Sequence, residues 1–490
     1  MQNGLQRSLC LMCACLFSLL MFADNEKNTW PDLPLLQIET VGGEMPQNNI
    51  VYPPEGCIQA VSTKNEHVPG CMVITLRGDT LYDSGDYVAG ASGMRIKIRG
   101  NSTGAYLEQH PYKLKLSKKA DLLMREDKKY LHKDWVLLSI HTWTPVFTNN
   151  QTNITTWVGN MVSRAVGLHW VPATEFVNVV LNGEYQGLYT LTESIERGEG
   201  RLNVEKSGFV IEHDPFFWNE DGYYFKSEHQ ADYFGWTYKY PEGDEVTDAQ
   251  QSCIQSYINH FEKKLYDGEE VDEYIDYASW AKWVLAHDIL GTYDVAGSNR
   301  YLCKKDYLLS TPTSSRLEMC ALWDFDSSFR LEKEQFSTIH DADFYYYHSL
   351  FRLPRFRATY VALYDSLVNN LFYENLCSEL QSFVQRYETP FDESAVLHNG
   401  LYPKECRNRL RTQVEEIQTK LYERWSALSE NIKVLRRQTE GIENASSASP
   451  SMLIYDMSGR HYDASQLQQL PSGVYIQRDA WGRTRKLYQK

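Results

Sequence analysis

The chain has 490 residues, and its formal net charge of −15 excludes a protein built to bind nucleic acid, because such proteins need a basic face. A hydrophobic content of 42% and an aromatic content of 13% are ample for a folded core. The length suits two or three domains, or one large domain with additions. Since an acidic chain repels polyanions, any phosphate-binding site must be locally positive.

The start of the chain is typical of a secretory signal peptide. Arg7 precedes an apolar run from Leu9 to Phe22, and the small residue Ala23 suits cleavage at residues 1–23. The run is short for a membrane span, which disfavours an N-terminal anchor. Cys13 and Cys15 leave a lipoprotein signal as an alternative. We therefore expect an exported chain without a transmembrane segment, located in the cell envelope, at the cell surface or outside the cell.

Seven cysteines follow the predicted signal peptide: Cys57, Cys71, Cys253, Cys303, Cys320, Cys377 and Cys406. Export permits disulfides, and the local pairings are Cys57–Cys71, Cys303–Cys320 and Cys377–Cys406. The second pair is favoured because its members lie on candidate neighbouring strands. No CxxC spacing occurs among these cysteines, so no zinc site is predicted.

A cationic hairpin follows an N-terminal β region at residues 24–93. Ile96 and Ile98 alternate with cations, as do Leu114 and Leu116, and this period of two predicts paired, half-buried strands around the loop "GNSTG". The polar face carries Arg95, Lys97, Arg99, Lys113 and Lys115. Like charges that face each other are destabilising, so we expect either an anionic partner or a solvent-exposed face.

The next segments predict strands and helices in turn. "KDWVLLSI" predicts a buried strand, "TNITTWVGNMVSRAVG" a helix that stops at Gly167, and "TEFVNVVLNGEYQGLYTLTESIE" a hairpin that turns at Asn182-Gly183. "GFVIEHD" predicts a strand and "YIDYASWAKWVLAHDILGTYD" an interior helix. "NRYLCKKDYLL" and "LEMCALWDFD" predict a second strand pair.

Residues 356–437 have a helical pattern. Apolar residues recur every three or four positions from Leu410 to Leu435, which indicates a helix packed on its own body or, less often, a coiled-coil partner surface. Residues 441–451 have the composition of a linker, and residues 452–490 return to short strands with glycine turns.

The order Asp294, Asn299 and Asp324 matches a pattern that kinases use for phosphoryl transfer. A D-x-x-x-x-N loop supplies a general base and a metal ligand, and an aspartate after a later strand supplies the main Mg²⁺ ligand. Asp326 is a further ligand candidate. Asp324 follows Asn299 by 25 residues, so the intervening hairpin must be longer than in many kinases. A turn after a helix and a strand-end loop that binds Ca²⁺ are the alternatives.

Other catalytic motifs fit the sequence less well. Neither HExxH nor GxxxxGK[ST] occurs. A glycosidase needs two carboxylates across a sugar-binding cleft, and the many acidic residues leave that alternative open.

Several of these segments together resemble the spore-coat protein H (CotH) family of atypical, kinase-like proteins. The resemblance rests on "IRGNSTG", "HPYKLKLSKKADLL", "KDWVLLS", "EFVNVVLNGEYQGLYTLTESIE" and "LWDFDSSF", and it runs from about Met94 to Phe329. It implies an α+β fold with an atypical protein-kinase-like domain at residues 94–340. Residues 341–440 would be a helical extension of that domain.

The resemblance also implies an activity and its residues. It implies a kinase that uses ATP with Mg²⁺ to phosphorylate a Ser or Thr hydroxyl of a partner protein. By family pattern Asp294 would be the catalytic aspartate and Asp324 the principal metal ligand, with Asn299 and Asp326 beside it. The nucleotide site would contain Arg99, Lys113, Lys115 and Glu193, in which the arginine and Lys115 contact phosphates and the glutamate holds the lysine.

Three departures from the family pattern favour a different outcome. Gly104 stands where an aromatic residue usually follows "GNST", "HTWTPVFTNNQTNIT" offers no arginine at the start of the helix, and Arg330 stands where a glycine is usual. A catalytically inactive pseudokinase that acts as a cell-surface binding or structural protein is therefore the alternative.

The C-terminal tail carries a second resemblance. "IYDMSGR", "LPSGVYI" and "RKLYQK" resemble the C-terminal sorting segments of proteins exported by the type IX secretion system. This resemblance implies attachment to the cell envelope or release at the surface.

Overall fold

The structure is a computed structural model, and it describes residues 32–57, 61–141, 154–229, 234–292, 299–306, 315–329, 346–399, 407–447, 453–456, 461–463, 473–478 and 484–489. Its strands are β1 (Leu35–Thr40), β2 (Ile50–Val51), β3 (Ser62–Thr63), β4 (Val68–Leu76), β5 (Asp79–Asp83), β6 (Met94–Ile98), β7 (Tyr112–Ala120), β8 (His132–Ser139), β9 (Thr174–Leu181), β10 (Glu184–Glu193), β11 (Phe209–Asp214), β12 (Tyr224–Phe225), β13 (Gly235–Tyr240), β14 (Arg300–Lys304), β15 (Leu317–Ala321), β16 (Leu453–Asp456), β17 (His461–Asp463), β18 (Gly473–Arg478) and β19 (Thr484–Gln489). Its helices are α1 (Ser102–Tyr106), α2 (Thr155–Ala165), α3 (Asp248–Tyr266), α4 (Tyr277–Leu290), α5 (Tyr347–Leu350), α6 (Pro354–Asn369), α7 (Phe372–Asn399) and α8 (Arg409–Ser447). The mixed α+β class predicted from the sequence is confirmed.

Seven strands form a sheet that closes on itself. Their order is β1-β9-β10-β8-β7-β6-β4, and β4 pairs with β1 to close the sheet. β5 pairs with the C-terminal half of β4. Because side chains alternate along a strand, one face of each strand fills the interior of the closed sheet. Leu36, Ile96, Leu114, Trp135 and Leu191 are buried there. The predicted N-terminal β region therefore contributes strands to the same sheet as the cationic hairpin.

The predicted hairpin at Asn182-Gly183 joins β9 to β10. Both turn residues have positive φ, 51° and 81°, which is the conformation that Asn-Gly adopts in tight hairpins. β8 pairs with β10 on the other side, so the buried strand predicted at "KDWVLLSI" is also confirmed.

A second sheet holds the strands that come later in the chain. Its order is β12-β13-β11-β14-β15, and the neighbouring strands are antiparallel. The predicted interior helix is α4. Its Trp280 and Trp283 are completely buried in the hydrophobic cluster that also contains residues of the second sheet. Asp276 caps α4 by accepting a hydrogen bond from the Ser279 amide, and Gly291 ends it with φ of 61°.

The long C-terminal helices pack on the body of the protein. Leu410, Leu421 and Leu428 of α8 are fully buried in the same hydrophobic cluster as α4, which confirms the first of the two predictions made for this helix. The tail forms a four-stranded antiparallel sheet in the order β17-β16-β18-β19. Within the described residues, no helix is both long enough and apolar enough to cross a membrane.

The disulfide predictions are wrong for the cysteines that the structure describes. Cys303 and Cys320 do lie on the paired strands β14 and β15, but both are free thiols that hydrogen-bond to each other. The register pairs Cys303 with Glu318, so Cys320 is not directly opposite it. Cys57, Cys71 and Cys377 are also free, while Cys406 lies outside the described residues.

Candidate active site

A cleft of about 690 Å³ lies between the closed sheet and the second sheet. The closed-sheet wall is formed by β6, β7, the "GNSTG" loop and the segment at residues 62–65, and it presents the cations Lys64, Lys97, Arg99 and Lys113. The opposite wall presents Glu212, Asp214, Glu220, Lys239, Asn299, Tyr301, Asp324 and Asp326. Charge is therefore sorted across the cleft, with cations on one side and mostly carboxylates on the other.

Direct contacts link the two walls. The Arg99 guanidinium carbon lies 5.8 Å from the centre of the Trp323 ring, and Trp323 directly precedes Asp324. At the rim, the Lys64 ammonium lies 2.6 Å from a carboxylate oxygen of Asp221. These contacts place Arg99, which the family resemblance assigns to the nucleotide site, beside the "WDFD" segment. This proximity is expected if both belong to one site.

The "GNSTG" loop is clamped by the segment in front of it. Ser62 donates a hydrogen bond of 2.6 Å to the Asn101 side chain, and Thr63 donates one of 2.7 Å to the Gly100 carbonyl. A Cβ atom at Gly104 would lie 2.6 Å from the Arg99 carbonyl oxygen, so the loop closes only around a glycine there. This contact is a physical reason for one departure from the family pattern, since this chain has no room for an aromatic residue at that position.

The same loop has the G-x-S-x-G spacing of hydrolase nucleophile elbows, with Ser102 at its centre. Such a serine needs a neighbouring base, commonly a histidine. Among the residues that the structure describes, no hydrogen bond joins Ser102 to a histidine.

The cationic hairpin has the strand pairing that its alternation predicts. β6 and β7 place Arg95 opposite Lys115 and Lys97 opposite Lys113. Burial and these four cations lower the pKa of His67 to about 4, so this histidine adds no positive charge at neutral pH. Of the two outcomes expected for this face, the structure shows an anionic partner, because Asp134 of β8 and Glu196, just beyond β10, pair with Lys113.

Lys113 is the lysine that these carboxylates hold in the cleft. Its ammonium lies 3.2 Å from Glu196 and 3.5 Å from Asp134. Burial acts to lower the pKa of Lys113, but the two carboxylates outweigh it and raise the pKa above its ordinary value. Burial raises the pKa of Glu196, which Lys113 only partly offsets. Lys115 lies two residues further along β7 and does not line the cleft.

Glu193 contacts arginines rather than a lysine, which corrects the prediction made for it. Its carboxylate lies 2.8 Å from Arg125, accepts a hydrogen bond of 3.0 Å from the Ala173 amide and is almost completely buried. In the closed sheet it pairs with Trp135, whose side chain fills the interior, whereas Lys113 points to the outer face. The carboxylate that reaches the lysine is Glu196, three residues later, just beyond the end of β10.

The "WDFD" segment alternates between the core and the cleft. Trp323 and Phe325 are buried, whereas Asp324 is exposed and Asp326 is half-buried. Asn299 and Asp324 both have left-handed backbones, with φ of 58° and 61°, and the Asn299 amide donates a hydrogen bond of 3.4 Å to Asp324. Residues other than glycine are uncommon in this region and often mark functional sites.

Asn299, Asp324 and Asp326 line the cleft with oxygen-bearing side chains of the kind that bind magnesium together with phosphate. Within the described residues, no group of three or more His, Cys, Asp or Glu side chains is arranged to hold a metal ion alone. Mg²⁺ is usually held by one or two carboxylates together with phosphate oxygens and water, rather than by a complete protein cage. The donor set on this wall matches that pattern. Asp294, the predicted base, lies outside the described residues.

Comparison with protein families identifies the family of this chain. A family model described as CotH kinase protein matches residues 96–431, more than half of the chain. The chain belongs to the CotH family. The CotH match extends about a hundred residues beyond Phe329, where the resemblance in the sequence ended, and includes most of α8. No functionally curated protein matches the chain.

Helix α2 supports the carboxylate wall of this CotH protein through a single glycine. A Cβ atom at Gly159 would lie 2.4 Å from the Phe325 ring, so the helix and the "WDFD" segment are in close contact. The signal for this contact was present in the sequence as a glycine in mid-helix, but its partner could not be predicted because the two residues are 166 positions apart.

We predict that Gly159→Ala displaces Phe325 and, with it, the aspartates on either side. The added methyl group should lower the free energy of unfolding by about 1–3 kcal/mol and weaken Mg²⁺-dependent ligand binding. Gly198→Ala is the matched control, because a Cβ atom there meets no atom closer than 3.6 Å. Chemical denaturation and a Mg²⁺ titration of both variants test this, and equal behaviour of the two would show that the contact is unimportant.

Asp214 gives the carboxylate wall a pH dependence. Burial, followed by the charge of Glu212, raises the pKa of Asp214 to about 7, although Lys239 opposes this. A carboxyl group whose pKa is raised on folding stabilises the folded state below its unfolded pKa. This stabilisation is lost as the pH rises through the folded pKa. We therefore predict that Asp214→Asn becomes more stable relative to the wild type between about pH 4 and pH 7. Thermal unfolding across this range measures the difference, and a constant difference would contradict the assignment.

Proposed function

We propose that this CotH protein is an exported atypical protein kinase that transfers the γ-phosphoryl group of ATP to a Ser or Thr hydroxyl of a protein. The observation that carries the proposal is the sorting of charge across one cleft. Cations for a polyphosphate lie on one wall, and oxygen ligands for Mg²⁺ lie on the other. A volume of about 690 Å³ is within the usual range for a small-molecule site.

The cations of the closed-sheet wall would bind and orient the phosphates. Lys113 enters the cleft between Glu196 and Asp134, so its side chain is already held in place before a ligand arrives. Arg99 projects from the end of β6 toward Trp323 and the "WDFD" segment. Groups that are fixed in this way stabilise developing charge without the cost of reorganisation.

The opposite wall would hold the metal ion. Asp324, Asp326 and Asn299 are the residues proposed to bind Mg²⁺, which neutralises phosphate charge when it is bound. In the transfer step, the acceptor hydroxyl oxygen forms a bond to the γ-phosphorus as the bond from that phosphorus to the ADP oxygen breaks. Asp294 is proposed to take the proton of the hydroxyl, and the electron pair of the broken bond leaves with ADP.

The alternative is a pseudokinase that keeps the fold and binds a partner without transfer. It is favoured by one observation on helix α2. The arginine that the family pattern expects at the start of this helix is absent, and Arg164, in its last turn, is the only arginine that the helix contains. A missing cation on the phosphate side would weaken nucleotide binding.

We also propose a location for the protein. The signal-peptide pattern at residues 1–23 and the sorting-like tail at residues 452–490 support export to the cell envelope or surface. Proteolysis of intact cells followed by detection of the chain tests this, since a protein inside the cell would be protected.

Thermal unfolding with Mg²⁺-ATP, followed by a phosphate-transfer assay, separates the two functions. Ligand at 100 times its dissociation constant should stabilise the fold by about 2.7 kcal/mol. Binding together with the transfer of label from γ-labelled ATP to protein supports the kinase. Binding without transfer supports the pseudokinase, and a chain that shows neither is not a nucleotide-dependent protein.

A further inference from the structure

One cation lies on the carboxylate side of the cleft. Lys239 belongs to β13, where the register with β11 shifts between Val210 and Ile211. Trp236 and Tyr238 of the same strand are buried in the hydrophobic core, and Lys239 lines the cleft. A β-bulge commonly changes the direction of a side chain, and here the register shift coincides with the lysine.

Lys239 is held there by carboxylates of the same wall. Its ammonium lies 3.1 Å from Glu212, and its side chain is 26% exposed. Burial acts to lower the pKa of Lys239, but Glu212, Glu220 and Asp214 outweigh it and raise the pKa. The lysine is therefore charged at neutral pH.

A chain of contacts connects Lys239 to the proposed metal ligands. Glu212 pairs with Tyr301 across β11 and β14, and the two side chains hydrogen-bond. Tyr301 lies two residues after Asn299, whose amide contacts Asp324. The lysine, the glutamate and the metal-ligand residues thus belong to one continuous surface.

The negative charge of this surface would repel a bound polyphosphate, and Lys239 reduces that repulsion. A polyphosphate held by Lys113 and Arg99 would face Glu212, Glu220 and, in its ionised form, Asp214, all of which repel it. A divalent ion at Asp324 and Asp326 offsets the charge of those two aspartates, but not that of the other three carboxylates. A fixed ammonium among these three carboxylates supplies the missing positive charge.

We propose that Lys239 contacts a phosphate oxygen of the bound nucleotide from the carboxylate wall, opposite Lys113 and Arg99, while Glu212 holds it in position. This inference rests on the proposed function and deepens it, because it adds a binding residue to the same site. The phosphates would then be held by cations from both walls of the cleft.

The test measures the binding of Mg²⁺-ATP and of Mg²⁺-tripolyphosphate by calorimetry. Lys239→Met should weaken both ligands at least tenfold, since a hydrogen bond to a charged group is worth about 1.5–3 kcal/mol, and Lys239→Arg should retain binding. Lys263→Met is the matched control. Lys263 is also paired with a carboxylate, that of Asp267, but it is 68% exposed and does not line the cleft, so its loss should change affinity by no more than about twofold.

Each outcome decides the inference. If the wild type binds Mg²⁺-ATP and a folded Lys239→Met variant binds it equally well, the inference is wrong and the proposed function stands. If ATP binding weakens but tripolyphosphate binding does not, the lysine contacts another part of the nucleotide and the inference is also wrong. A wild type that binds neither ligand overturns the proposed function and the inference together. If Lys239→Met does not fold, the Glu212→Gln/Lys239→Met double variant, which leaves no isolated carboxylate at that pair, replaces it in the same comparison.

Discussion

Replacing Asp324 with asparagine is expected to abolish phosphoryl transfer while leaving the fold intact. The exposed carboxylate is the proposed principal ligand of Mg²⁺, and a catalytic metal ion contributes several kcal/mol to transition-state stabilisation. The loss should therefore be about 10³-fold or more. Transfer of label from γ-labelled ATP measures it, and circular dichroism with thermal unfolding confirms that the variant is folded.

A second substitution at the same position separates function from stability. The φ of 61° at Asp324 is a conformation that glycine adopts without strain. Asp324→Gly should therefore lose transfer as completely as the asparagine variant, while its free energy of unfolding stays within about 1 kcal/mol of the wild type, because relief of backbone strain offsets the greater freedom of glycine in the unfolded chain. Transfer at more than a tenth of the wild-type rate in either variant would remove Asp324 from the site.

Replacing Lys113 with methionine is expected to damage both stability and transfer. It would leave Glu196 and Asp134, which are 21% and 12% exposed, without the cation between them. Removing one partner of a largely buried ion pair costs about 3 kcal/mol. Nucleotide binding should weaken as well, because Lys113 lines the cleft.

The stability of the Lys113→Met variant should depend on pH in a defined direction. Burial already raises the pKa of Glu196, and loss of the lysine would raise it further. A carboxyl group of this kind stabilises the fold below its unfolded pKa and loses that contribution as the pH rises through the folded pKa. The variant should therefore regain stability relative to the wild type as the pH is lowered from neutrality toward 4.

Two further variants serve as controls for this prediction. The Lys113→Met/Glu196→Gln double variant should recover much of the stability without recovering nucleotide binding. Lys115→Met changes a lysine of the same strand and face that does not line the cleft, so it should bind Mg²⁺-ATP like the wild type. If the two lysine variants bind equally well, the assignment of Lys113 over Lys115 is wrong.

Local patterns predicted the elements of this fold well. Alternating residues predicted β6 and β7, Asn182-Gly183 predicted the β9–β10 turn, and the apolar segment before Gly291 predicted α4. Each of these is determined by neighbours within a few residues. The closure of the sheet was not predicted, because it depends on β1 pairing with both β4 and β9, far apart in the chain.

Only part of the site was predicted, because its residues also come together from distant segments of the chain. Arg99, Asn299, Asp324 and Asp326 meet in one cleft, which the family resemblance suggested through their order along the chain. The prediction named Glu193 rather than Glu196. Both lie near the end of the same strand, and only the face on which each side chain lies distinguishes them. Leu191 is buried inside the closed sheet, and Glu193, two residues later in the same strand, lies on the same face. This face could be assigned from the sequence only if the strand were already known to belong to a closed sheet.

Lys239 and Glu212 could not be recognised as site residues from the sequence. Each stands in a short strand among aromatic and apolar residues, and neither belongs to a charge cluster along the chain. They meet only because β11 pairs with β13 and the register shifts at that point. The structure is what brings this ion pair into the cleft with the metal-ligand residues.

Calorimetric titration of Mg²⁺-ATP into the wild type, Arg99→Met and Asp324→Asn tests most directly whether the two walls of the cleft act on one ligand. We predict that the wild type binds a single equivalent and that each variant weakens binding at least tenfold, although the two substituted residues lie on opposite walls. Wild-type binding that neither substitution changes, or an absence of binding at millimolar nucleotide, would contradict this account of the cleft.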